Sequence, residues 1–240
     1  MEDGTPDAVT LCRFRADLGR LGLAEAVFAE VNRQIDGRGM ILRRGTLIDT
    51  SLIEAAVRRP APPREPAPSA AETKGRPPSK LTRSPLDPDA AWAKKNGRRT
   101  FGYKAHIGVD QHSGIIRRAL LTPANVNDTV PADELICGDE AAVYADQAYA
   151  SHARSARLRV LGIKDRLMHR ANKHHPLTGR QRARNRAIGR RRAPVEQIFA
   201  RLKRALGWTR ARYRGLLRNA THLLMMCTAL NLRRLAALTA

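Results

Sequence analysis

The sequence predicts a mixed α/β fold, a sheet of antiparallel and parallel strands flanked by helices. Three observations carry this: short apolar β-prone runs, helix-period apolar spacing elsewhere, and an order in which a strand and a strand pair precede alternating helices and strands. With 240 residues, 42% of them hydrophobic, the chain can build one full domain and a small appendage.

Leu18, Leu21, Leu23, Val27, Val31 and Ile35 recur at roughly helical spacing, which predicts two short helices or one broken at Gly22. "GTLIDTSLIEAA" (45–56) reads as a strand with Asp49 inside it. Nine of the fourteen prolines lie between Pro60 and Pro88; proline cannot join a helix interior or a central strand, so this stretch is an extended arm or linker. "YKAHIGVD" and "GIIRRALLTPAN", separated by "QHSG", predict a hairpin. "DTVPADELI" reads as a short helix, "AAVYADQAYA" as an apolar run ending at Asp146, and "LGIKDRLMH" as a further strand. In "RRAPVEQIFARLKRALG", Val195, Ile198, Phe199, Leu202 and Leu206 make the buried stripe of an amphipathic helix, with Pro194 suited to its first turn. "LLMMCTALNL" spans about half of the ~20 residues a membrane crossing needs and is a core helix.

Lys and Arg number 44 against 22 acids, a formal charge of +22 that repels itself unless a polyanion is the partner. Nucleic acid is therefore expected, either as a substrate or, as in RNA-packaging proteins, as a structural partner. Aromatics are only 4%, too few for base-stacking platforms, which favours duplex DNA. Cys12, Cys137 and Cys227 are widely separated and lack partners at zinc-ligand spacing, so they read as thiols of a reducing cytosol. No export signal opens the chain, and a cytoplasmic, nucleoid-associated protein is the expectation. His174 and His175 read as a solvated basic loop. Trp92 and Tyr103 flank Lys94, Lys95, Arg98 and Arg99, which read either as a DNA contact or as core packing of the Trp.

Acids are scarce where cations are dense: residues 151–220 hold 21 Lys and Arg but only Asp165 and Glu196. Glu196 and Lys203 are two helical turns apart and share a face; Arg192, four residues before Glu196, joins them if the helix reaches back that far. Taken singly, Glu196 reads as a surface ion-pair residue and Asp49 as a capping or strand-edge acid. Taken together, Asp49, Asp146 and Glu196 are the oxygen donors a pair of Mg²⁺ ions needs for in-line phosphoryl displacement, set in a basic surround that holds the DNA backbone. An RNase H-like fold gathers acids from adjacent strands in this way.

The stretches "GTLIDTSLI", "DPDAAWAKKNGRRTFGYKAHIGVDQHSGII", "TPANVNDT", "VYADQAY" and "RAPVEQIFARLKRALGWTRARYRGL" resemble those of bacterial insertion-sequence transposases of the DDE type, in the fifth insertion-sequence family. The resemblance runs from about residue 7 to the end. It implies an RNase H-like fold and Asp49, Asp146 and Glu196 as the catalytic, metal-binding triad. Mg²⁺ is the implied cofactor, two ions, with Mn²⁺ as a substitute. The implied partners are transposon-end and target DNA, in a homodimer or larger synaptic complex. A related superfamily's signature is Tyr, two residues, Arg, three residues, Glu, six residues, Lys; Arg192, Glu196 and Lys203 match it, while Gly189 stands at the Tyr position. Arg192 and Lys203 would then position phosphates, with Lys104, Arg98, Arg99, Arg212 and Arg214 as further DNA contacts.

Family members have a longer helical region ahead of "PDAVTLCRFRADL", so the resemblance implies a shortened N-terminus. The expected division is a helical remnant (1–44), the first catalytic strand (45–58), a Pro-rich arm (59–95), an RNase H-like core (96–214) and a C-terminal helix (215–240). The rival expectation is an inactive, shortened DNA-binding relic, inhibitory to a full-length transposase.

Overall fold

The computed structural model describes residues 5–61, 84–95, 97–171 and 175–239. Most of the Pro-rich arm, and His174, lie outside the described residues. Two helices open the chain, α1 (Ala8–Arg20) and α2 (Leu23–Gly37). Asp7 caps α1 by accepting from the Thr10 amide at 2.6 Å, and Gly22, at φ +66°, takes the left-handed turn between them.

Strands β1 (Thr46–Glu54), β2 (Ala91–Lys95), β3 (Arg98–Asp110), β4 (Ile116–Pro123), β5 (Ala142–Ala145) and β6 (Lys164–Leu167) form one mixed sheet. β3 is its backbone: β1 pairs antiparallel along one edge, and β2 and β4 share the other. On the far side of β1 come β5 and then β6, both parallel. Antiparallel strands followed by parallel ones, flanked by helices, is the mixed arrangement of an RNase H-like fold.

Alternation along the strands sorts side chains onto two cores. Leu47 and Ile53 of β1, with Phe101, Tyr103, Ala105, Ile107 and Val109 of β3, face α2, α4 (Gly179–Arg204) and α5 (Leu216–Thr239). Ile48, Val143 and Ala145 face the opposite way, onto the 3₁₀ turn Pro131–Leu135, Tyr149 and α3 (His152–Val160).

Asp49 is the fourth residue of the nine-residue β1, inside the strand as the sequence predicts, since β3 keeps pairing β1 as far as Glu54. Two expectations are corrected. Ala91–Lys95, assigned to the arm, form β2, because five consecutive residues find the free edge of β3. Pro194 is interior to α4, which begins fifteen residues earlier at a Thr178–Gln181 capping box. An interior proline costs about 3 kcal/mol. Ile188, Val195, Ile198, Phe199 and Leu202 are buried along α4, each stabilising by roughly 1.5–3 kcal/mol, and together they outweigh it.

Candidate active site

Leu47 pairs with Tyr144 where β1 and β5 run parallel, and pairing stops there. Counting two residues on from each reaches Asp49 and Asp146. Both share the strand parity of Leu47 and Tyr144, whose side chains belong to the core beneath α4. The two carboxylates thus stand where β1 continues along β3 and β5 ends. Asp146 turns the chain by capping the 3₁₀ turn Gln147–Tyr149, its Oδ1 accepting from the Ala148 amide at 2.8 Å. Asp49 Oδ1 accepts from the Thr50 amide at 2.8 Å.

Burial pushes the Asp49 carboxyl above its ordinary value; Arg192 pulls it back, and the neighbouring charge of Asp146 pushes it up again. Arg192 reaches down from α4: its Nη2 lies 3.3 Å from Asp49 Oδ1 and donates to the Ile48 carbonyl at 3.3 Å. The phosphate-positioning arginine of the sequence reading is therefore seated on a carboxylate. Lys95 adds a weaker pull on Asp49. Lys203 is half-buried, and burial, then the charge of Lys95, lower its pKa.

Because α4 extends back past Arg192, Arg192, Glu196 and Lys203 fall within about 40° of one another around its axis, beside the buried stripe. Glu196 is exposed. Among the described residues, no three His, Cys, Asp or Glu side chains converge closely enough to hold a metal ion. Asp49, Asp146 and Arg192 are brought together; the Glu196 carboxylate is not brought in with them.

Asp49 and Asp146 nevertheless fit a hard divalent cation. Both are oxygen donors, the charge of Asp146 disfavours ionised Asp49, and Asp49 is desolvated, so a cation relieves what the fold imposes.

The remaining basic candidates separate. Lys104 is a correction: its Nζ donates to Asp128 at 2.6 Å and to the Val126 carbonyl at 2.7 Å, and its side chain is only 14% exposed. It fastens the loop after β4 and is not a surface contact. Arg98 is exposed and pairs with Glu54 at 3.0 Å; with Glu54, Lys95, Lys203, Arg210 and Thr50, the residue after Asp49, it lines an open groove. Arg99 borders a second basic depression with Arg58, Arg59 and Trp92. Arg212 and Arg214 are exposed beyond α4.

Two supporting arginines escaped sequence reading. Arg154, 4% exposed, donates to Asp133 at 2.8 Å, to the Thr129 carbonyl at 2.7 Å and to the Tyr149 carbonyl, so it holds the turn that follows Asp146. Arg210 donates to the Ala55 carbonyl at 2.7 Å and to the Val57 carbonyl at 3.3 Å, holding the end of the β1 segment. Nothing distinguishes either from the many surface arginines around it until the backbone carbonyls are in place.

No described helix is long and apolar enough to cross a membrane. A family model described as a transposase DDE domain matches residues 43–232, a span that takes in every strand, α3, α4 and most of α5. Paired aspartates on neighbouring strands, a basic helix above them and a family match over most of its length agree: the chain belongs to the transposase DDE-domain family, enzymes of DNA transposition that act by DNA cleavage and transfer.

Proposed function

We propose that this chain is an insertion-sequence transposase of the fifth family, with Asp49, Asp146 and Glu196 as its triad. It cuts DNA at transposon ends with water and joins the freed 3′ hydroxyl to target DNA. The observation that carries the reading is the convergence of Asp49 and Asp146 on the α4 face. Asp49 and Asp146 would hold Mg²⁺, two ions in all with Mn²⁺ as a substitute, and Glu196 would complete the donor set. When bound, such ions supply Lewis-acid polarisation of the phosphate and activation of the attacking oxygen.

The chain's own residues do the rest. Lys95, Arg98 and Lys203 line one groove, Lys95 near enough for its charge to act on Asp49, and together they offset the phosphate charge that the aspartates would repel. The Thr50 amide fixes one Asp49 oxygen and the Ala148 amide one Asp146 oxygen, so the carboxylates are oriented before DNA arrives. Arg99, Arg212 and Arg214 contribute backbone contacts farther out. The division into a helical N-terminal region, arm and core and a dimeric or larger synaptic assembly belong to the same proposal, as does a cytoplasmic, nucleoid-associated location.

A second reading, an inactive DNA-binding relic, is favoured by one observation: Glu196 is exposed and not gathered with the aspartates. The deciding experiment is Mg²⁺- or Mn²⁺-dependent nicking and strand transfer on a plasmid carrying the element's flanking repeats, with scrambled repeats and Asp146→Asn as controls. End-specific cleavage lost in the variant supports the transposase. DNA binding without cleavage supports the relic.

A further inference from the structure

Arg192 occupies an unfinished seat. Its side chain is 11% exposed and that of Asp49 18%, so the pair is largely desolvated. Its Nη2 serves both Asp49 and the Ile48 carbonyl at 3.3 Å, while its Nε is sealed from solvent with no hydrogen-bond partner. A buried guanidinium with a donor left idle is poorly compensated, and a better acceptor would draw it away.

Two ligands compete for what this contact ties up. A divalent cation on the aspartates needs the Asp49 oxygen and is repelled by a guanidinium beside it. A DNA phosphate offers the planar guanidinium of Arg192 a bidentate pair of anionic oxygens, which one carboxylate oxygen and one carbonyl do not. Lys95 and Lys203 already stand along the approach. Each ligand therefore favours the same rearrangement, with Arg192 off Asp49.

We propose that Arg192 is a built-in counter-ion of Asp49, released by DNA, which couples divalent-cation binding positively to DNA binding. The proposal rests on Asp49 and Asp146 being the cation site. Coupling through one side chain is reciprocal, so DNA tightens the cation by the same factor as the cation tightens DNA. In the absence of DNA the contact acts as a brake, holding the protein short of a loaded site.

The test is Mn²⁺ titration of the full chain, followed by the paramagnetic signal of the free ion, with and without a short blunt duplex. Arg192→Gln should bind Mn²⁺ roughly three- to tenfold more tightly than the natural protein when DNA is absent, and the tightening produced by duplex should shrink. Arg204→Gln, which removes an exposed positive charge from the same helix, measures the general charge effect to be subtracted. Arg192→Met serves if the Gln variant does not fold. Asp146→Asn separates the two levels: if it binds Mn²⁺ as the natural protein does, the aspartates are not the site and both readings fall. If Asp146→Asn loses Mn²⁺ while Arg192→Gln binds no more tightly than Arg204→Gln, the counter-ion proposal alone is overturned.

Discussion

Asp49 and Asp146 occupy matching positions on parallel neighbours, each two residues beyond the last paired residues, Leu47 and Tyr144. One strand runs on and the other ends, which opens a notch in the sheet at the height of the two carboxylates. The notch lies under α4, and the first side chain to reach it is a guanidinium.

This placement has a pH signature. The folded-state pKa of Asp49 is raised above 3.8, so its ionisation opposes folding: its contribution is favourable below 3.8 and is lost as pH rises through the higher folded value. In EDTA, Asp49→Asn should gain stability relative to the natural protein as pH rises above 3.8, and the gain should persist at neutrality. Thermal denaturation across pH checks this. The same variant should lose metal-dependent cleavage by more than ~100-fold, since outer-sphere changes alone cost 10–100-fold at metal sites.

Salt dependence should sort the lysines. Replacing Lys203 with Gln should lower the slope of log K against log salt for duplex binding by about 1, one phosphate contact. Lys104→Gln should leave the slope unchanged and cost about 1–3 kcal/mol of stability, because it unfastens Asp128 and Val126. Fluorescence anisotropy over a salt series, with urea unfolding alongside, tells them apart.

The Tyr103 hydroxyl donates to Asp87 at 2.5 Å in a fully buried contact, and Asp87 also accepts from the Gly215 amide at 3.2 Å, just before α5. Tyr103→Phe removes the donor but not the buried acceptor. It should cost about 1–3 kcal/mol in urea unfolding and loosen α5 more than β3 in hydrogen exchange.

Gly102 lies opposite Glu54, where β3 pairs the end of β1. At φ +157°, a Cβ there would lie 2.1 Å from the Ile53 carbonyl oxygen. Gly102→Ala should therefore cost more than ~2 kcal/mol, measured by denaturation, by forcing apart the strand that carries Asp49.

Local patterns were readable where a residue's neighbours lie close in sequence. The break at Gly22, the hairpin across "QHSG", the strand holding Asp49 and the stripe from Val195 to Leu202 all follow from periodicity or turn chemistry. Readings failed where a distant partner decided. Ala91–Lys95 became a strand because β3 had an unpaired edge, and α4 absorbed Pro194 because apolar residues on both sides of it found the sheet. Lys104 looks like a DNA contact in a basic sequence, yet its ammonium is satisfied inside by Asp128 and the Val126 carbonyl; Arg154, unremarkable in the sequence, is likewise taken up by Asp133 and backbone carbonyls.

The sequence by itself determined that a strongly basic α/β chain carries two isolated aspartates in apolar runs and a glutamate on a helix among cations. Residue type and local spacing suffice for that, and the motif order suffices for the family resemblance. The tertiary structure decided that β1 and β5 run parallel in the register that sets Asp49 beside Asp146, and that Arg192 sits on Asp49 instead of facing outward. Strand register and the partner of a long side chain are set by contacts between segments nearly 100 to 150 residues apart, and no local pattern encodes them.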